Sequence, residues 1–154
     1  MRIQQRIAVL IALLTLASAS ALSQQTTSDA EHQLFNAVNQ ERKAHGLPSL
    51  AYDEALANAA RKHAKRMVEE QGTISHQFPG EPSLPSRAKA AGVHFTWLSE
   101  NVDEGPNPTA IHQSFMRSPQ HLANILDSDM DSAGIGIAER KGRMFVVEDF
   151  SQAK

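Results

Sequence analysis

The chain contains no cysteine. Whatever it folds into must be held by packing, hydrogen bonds and helix caps, because a disulfide framework, a thiolate nucleophile and a cysteine-ligated zinc site are all excluded. The constraint is sharper because the chain reads as exported. Arg2 and Arg6 precede an apolar run, Ile7 to Leu16, broken only by Thr15, and Ala19-Ser20-Ala21 is spaced for a signal-peptidase cut. The expectation is a cleaved signal peptide over residues 1–21 and a secreted or periplasmic location. The run is too short to span a membrane, and no later segment approaches that length, so no transmembrane segment is expected. Asn107-Pro108-Thr109 is barred by its proline as a glycosylation acceptor and no other such triplet occurs, which suits a bacterial origin.

Loss of the leader removes two of the 15 basic residues and none of the 17 acidic ones. The net charge becomes more negative, which argues against a nucleic-acid partner. About 130 residues remain, enough for one domain that buries roughly two thirds of its surface without covalent staples. Residues 22–29 are expected to be a disordered polar lead-in and 30–154 a single domain. Ser28-Asp29-Ala30-Glu31 has the form of a capping box opening a helix that runs to about His45 and is stopped by Gly46 and Pro48. Leu47 to Tyr52 is a short crossing segment. Asp53 caps a second helix with an apolar stripe of Leu56, Ala59, Ala60, His63, Ala64 and Met67, closed by Gly72.

Thr73 to Pro85 holds Pro79, Gly80, Pro82 and Pro85, so it reads as a surface loop that carries His76. A short helix follows from Ser86 to Ala91. Val93 to Leu98 is a predicted strand ending at Ser99-Glu100-Asn101. Asn107-Pro108 and Ser118-Pro119 each set a capping residue before a first-turn proline, giving helices from Pro108 to Met116 and from Pro119 to Leu126. Ala133 to Glu139 and Met144 to Phe150 form a hairpin whose connection, Arg140 to Arg143, is longer than the tightest turns. Helices outnumber strands in one mixed domain.

Seven histidines are the unusual supply of reactive groups. His63 is expected to be a core histidine bonded to a neighbour, and His32, His45, His94 and His112 to be solvated. His76 is displayed on its loop. His121 lies in the first turn of a helix, where an imidazolium is disfavoured, so it stays neutral and available as ligand or base. Asn124 shares its helical side, and Glu100 stands at a strand end facing a cleft. Two imidazoles and a carboxylate are the donor set of an open zinc site, or one for another divalent metal, although no short His-Glu-x-x-His pair is present. Asp127, Asp129 and Asp131 open like a calcium loop but lack its glycine and its bidentate glutamate. Gly134-Ile135-Gly136 lacks the rest of a dinucleotide fingerprint, and no Gly-x-Ser-x-Gly elbow occurs.

Over residues 30 to 151 the chain resembles the CAP superfamily of cysteine-rich secretory, antigen 5 and pathogenesis-related proteins, in its bacterial, disulfide-free form. The likeness rests on Asn39-Gln40-Glu41-Arg42, Gly46-Leu47-Pro48, Ser75-His76, Ser99-Glu100-Asn101-Val102, Ser118-Pro119-Gln120-His121-Leu122-Ala123-Asn124-Ile125-Leu126, Gly134-Ile135-Gly136-Ile137 and Val147-Glu148-Asp149-Phe150. The resemblance implies an α+β fold, a three-layer α–β–α sandwich with a central, mainly antiparallel sheet. It also implies a cleft in which His76, Glu100 and His121 match three of the family's two histidines and two acids, with Asn101, Ser118 and Asn124 in support. The second acid is missing near Ser118, and Ser99 and Leu122 replace the family's glycine and arginine. Three functions follow as expectations. The cleft binds a small apolar or lipid-like ligand or a divalent metal; or zinc on His76 and His121 activates water with Glu100 as base; or the His and Glu groups are a structural network and function lies at another surface. The sequence does not identify a protein partner.

Overall fold

The computed structural model describes residues 27–153. The expected leader lies outside this range, as does the start of the lead-in. Residues 27–29, expected to belong to the disordered lead-in, are helical. Ser28 is not an N-cap, because helix α1 covers residues 27–44. Glu31 does not reach back to a helix start either. It is buried and accepts the backbone N–H of Ile137 at 3.1 Å and the guanidinium of Arg61 at 2.8 Å.

The remaining elements are β1 (Ala51–Tyr52), α2 (Glu54–Glu69), α3 (Leu84–Ala90), β2 (Phe95–Gly105), α4 (Pro108–Arg117), α5 (Pro119–Ile125), β3 (Ser132–Arg140) and β4 (Arg143–Ala153). The sheet order is β1-β3-β4-β2, antiparallel except for the short parallel pair of β1 with β3. On one face, Leu34 and Val38 of α1, Ile111 and Phe115 of α4 and Ile125 of α5 meet Ile135, Val146 and Phe150. On the other, Ala60, Ala64 and Met67 of α2 meet Val102, Phe145 and Val147, while α3 adds Ala88 beside Leu56. This is the three-layer α–β–α sandwich that the sequence implied.

Caps behave as their residue types dictate. Asp53 accepts from Leu56 N at 3.0 Å, Asn107 from Ala110 N at 2.9 Å and Ser118 from His121 N at 3.5 Å. Asn39 and Arg42 clamp the chain that leaves α1. Asn39 exchanges two hydrogen bonds with the backbone of Leu50, and the fully buried Arg42 donates to the carbonyls of Pro48, Ile125, Asp127 and Met130.

Three boundaries differ from expectation. Helix α3 begins before Pro85, whose missing N–H is harmless in a first turn after Ser83. Strand β2 does not stop near Glu100 but continues to Gly105, because Glu100 and Val102 pair with Asp149 and Val147 of β4. The hairpin turn is also tighter than expected: Arg140 pairs with Arg143, and Lys141 and Gly142, with φ of 50° and 74°, close it as a two-residue turn.

Helix α2 lies directly on the backbone of β3. A Cβ added at Gly134 would stand 2.1 Å from Ala57 N, and one at Gly136 would stand 2.1 Å from Arg61 N. Both obstacles are helix backbone, which cannot rotate away. Gly136→Ala is therefore expected to destabilise the domain by about 3 kcal/mol, the upper part of the usual overpacking range, as read by urea unfolding followed in the far-ultraviolet. A cost below about 1 kcal/mol would show that the helix can lift off the sheet cheaply.

Candidate functional site

The loop between α2 and α3 is pinned to the sheet by a chain of charged side chains. His63, fully buried on α2, contacts Glu81 Oε1 through Nδ1 at 2.7 Å and Ser75 O through Nε2 at 2.8 Å, as expected of a core histidine. Glu81 turns its other oxygen to Phe78 N at 3.0 Å. Arg87 of α3 lies 4.0 Å from Glu81, donates to the carbonyls of His76 and Pro82, and makes a buried ion pair with Glu100 Oε2. Glu100 Oε1 contacts His76 Nδ1 at 2.9 Å.

His76 itself is displayed, its side chain 62% exposed. The hydrogen bond to Glu100 raises its pKa, against an opposing effect of burial and of Arg87. His121 behaves oppositely. Its ring packs edge-on against Phe115 with centroids 5.1 Å apart, Nδ1 is buried without a partner, and burial lowers its pKa. The expected neutrality of His121 thus has burial as its leading cause. Charge on His76 lowers the His121 pKa further, while Asp103 opposes this.

The expected supporting residues do join β2 to α5. Asn101 is fully buried, donates to His121 O and Glu148 Oε2, both at 3.2 Å, and accepts from Asn124 Nδ2 at 2.8 Å. Asn124 also reaches Glu100 O at 3.3 Å. Ser118 supports the site only as the cap of α5.

Three acids at this end of the sheet are buried. Asp149 faces Glu100 across β4 and β2 with neither oxygen hydrogen-bonded, and burial, followed by the charge on Glu100, holds its pKa well above the usual carboxylate range. Glu148 is pushed up to about 8 by burial, eased by its bond from Asn101. Sequence reasoning missed Arg87 and Glu81, and took Glu148 and Asp149 only as part of a closing-strand motif. The one available signal was two consecutive acids inside the apolar run Phe145 to Phe150. His112, expected to be solvated, is instead largely covered, its side chain 13% exposed.

Among the described residues, no three histidine, aspartate or glutamate side chains are grouped so as to hold a metal ion. His76, Glu100 and His121 do not form the expected three-ligand set, because both oxygens of Glu100 are engaged, one by Arg87 and one by His76. The donor set as arranged does not fit zinc. Nor is Glu100 left as a free carboxylate.

The α–β–α sandwich defines a class of protein, and sequence comparison gives it a family. Residues 35–150 match the CAP domain of the cysteine-rich secretory protein family, to which the chain belongs. It is 29% identical over 131 residues to the uncharacterized protein YkwD of Bacillus subtilis and 31% identical over 115 residues to the uncharacterized membrane protein YlbC of the same organism. These matches take in 80% and 73% of this chain but only 51% and 32% of the two relatives. Among solved structures, an extracellular protein containing an SCP domain from Bacillus anthracis superposes with a TM-score of 0.77 at 27% identity, over 84% of this chain and 42% of the other. An outer surface protein of Borrelia burgdorferi gives 0.76 at 21% identity, over 83% and 96%, and shows the shared fold. No helix among the described residues is long and apolar enough to cross a membrane.

Two outcomes follow from the buried charges. Arg87→Ala leaves Glu100 buried beside Asp149 without its cation, so a loss of about 3–5 kcal/mol is expected in urea unfolding, whereas a loss under 1 would show that water replaces the guanidinium. For Glu148, a folded pKa of about 8 lies above the unfolded value near 4.5. The folded state therefore holds the extra proton between these values, and stability present below pH 4.5 declines as pH rises through 8. Glu148→Gln should flatten that decline and be more stable than the wild type at pH 8. Unchanged pH dependence in the variant would show that Glu148 is already ionised in the fold.

Proposed function

We propose that this chain is an exported bacterial CAP-domain binding module whose cleft receives a small apolar or lipid-like ligand beside the imidazoles of His76 and His121. The engagement of Glu100 carries the reading. With one oxygen on Arg87 and the other on His76, the carboxylate serves as part of the cleft wall, which favours binding over hydrolysis. The apolar character of the ligand is supported by Ile74, a large hydrophobic side chain left exposed two residues before His76. Export is supported by the expected leader and by the extracellular Bacillus anthracis relative.

The Arg87 network favours a second reading, in which the His76–Glu100 contact serves to anchor the loop and recognition occurs on another surface. One pair of measurements separates the readings. Mass spectrometry of an organic extract of the purified protein should find a copurifying lipid that is depleted in Ile74→Ser, and calorimetric titration with zinc should give no stoichiometric heat. Absence of any extractable ligand would favour the second reading. Zinc binding by the wild type that His76→Ala abolishes would overturn the lipid reading and restore the metal site.

A further inference from the structure

The two edges of the sheet are finished differently. On one side β1 covers β3 for only two residues, and beyond it Glu31 occupies the N–H of Ile137. On the other side β2 is the outer strand, and its first half, Phe95-Thr96-Trp97-Leu98-Ser99, has none of the charged residues or prolines that usually keep an open edge from pairing. Trp97 is the chain's single tryptophan and stands 62% exposed on this stretch.

Alternation along an antiparallel ladder fixes which backbone groups of β2 face outward. Ser151 O accepts from Asp131 N on the β3 side, so the backbone groups of Phe150 and Gln152 point the other way, to their partners Ser99 and Trp97 on β2. The N–H and C=O of Leu98 are therefore turned to the open side. Glu100, two residues on, agrees with this, since Asn124 of α5 reaches its carbonyl. Among the described residues, no backbone hydrogen bond from beyond the strands reaches Leu98.

The open stretch is short. A bulge between Phe95 and Trp97 bends the strand before it, and Asn124 and His76 both bond to Glu100 after it. A strand that pairs here must be uncharged and must end within a few residues, and β2 itself has that form. Two-fold pairing sets the middle of the strand against itself, which an uncharged stretch tolerates and a charged one does not. It also sets the start of each strand toward the end of the other. Lys89 and His94 stand exposed before the stretch and Asp103 stands half-buried after it, so antiparallel pairing brings a basic end toward an acidic one, whereas parallel pairing would oppose like with like.

We propose that this edge is an interaction surface for a second copy of the chain, paired antiparallel with Leu98 on the two-fold axis. Each Leu98 donates its N–H to the Leu98 carbonyl of the other copy, which joins two four-stranded sheets into one. Trp97 then lies opposite Ser99 of the second copy, and the two indole rings become diagonal neighbours on one face of the sheet, within aromatic reach. This surface stands whether or not the cleft holds a lipid.

Sedimentation velocity of the folded chain from about 10 µM to about 1 mM, the range in which small interfaces associate, should show the mass doubling. Because Trp97 is the single tryptophan, its fluorescence should move to shorter wavelength over the same range as the ring leaves water. Amide hydrogen exchange at Leu98 should slow by about tenfold between the dilute and the concentrated sample, as its N–H gains a partner. Trp97→Lys, at an exposed position that leaves the core untouched, should stay monomeric throughout. The proposal is overturned if the wild type remains monomeric at the highest concentration or if Trp97→Lys dimerises as the wild type does. It is equally overturned if a dimer forms while the Leu98 amide exchanges at an unchanged rate, since the contact would then lie on another surface.

Discussion

Helix α2 rests on β3 with no side chain between the two backbones, and much of the site follows from that contact. Gly134 and Gly136 make the approach possible from the sheet, and the small stripe of Ala57, Ala60 and Ala64 makes it possible from the helix. A helix held this close has little freedom to slide or rotate. His63 is thereby fixed at the height of Ser75 and Glu81, and Arg61 reaches across to Glu31 on α1. Glu31 in turn occupies the N–H of Ile137, beyond the point where two-residue β1 ceases to cover β3. One glycine pair thus orders the helix that anchors the His76 loop and the carboxylate that finishes the sheet edge.

The charges at the cleft are set by supply. Arg87 forms the ion pair with Glu100, while Asp149, on the facing strand, has neither a cation in hydrogen-bond contact nor a hydrogen bond. The guanidinium is bonded to Glu100, while burial, followed by the charge on Glu100, raises the pKa of Asp149 well above the usual carboxylate range. This division binds Glu100 to Arg87 and His76, and it explains why a carboxylate that looked free in sequence is spent on architecture. The two imidazoles are therefore unlike, the hydrogen bond to Glu100 raising the pKa of His76 and burial lowering that of His121.

What could be read before folding was local. Asp53, Asn107 and Ser118 announced their helices because a cap acts within four residues, and the α2 stripe announced its buried face because helical periodicity is a property of one segment. His63 was legible from its place on that stripe, and His76, His121, Asn101 and Asn124 through the motifs shared with the family. The losses were all partnerships across distance. The extent of β2 depended on β4, some fifty residues later, and Glu31 belonged to a strand edge 106 positions away instead of to its own helix start. Arg87 sits in a seven-residue helix without any pattern that marks it as the cation of the site. His112 was misplaced for the same reason, since only the packing of α4 beside α1 covers a position that the sequence leaves looking solvated.

The missing cysteines return here as a thermodynamic difference. Arg42, the Glu31–Arg61 pair and the Arg87–Glu100 pair each join separate segments of the chain without a covalent link. A disulfide acts in large part by restricting the unfolded chain, and it persists when the fold is lost. A guanidinium among carbonyls or against a carboxylate acts only in the folded state, and its desolvation is compensated only while every partner is in place. Such anchors therefore fail together. A domain tied this way gains no restraint on its unfolded ensemble, so its integrity depends on the completeness of each buried network. Removing one partner of a network then costs more than the pair contributes, because an uncompensated charge remains inside the sandwich.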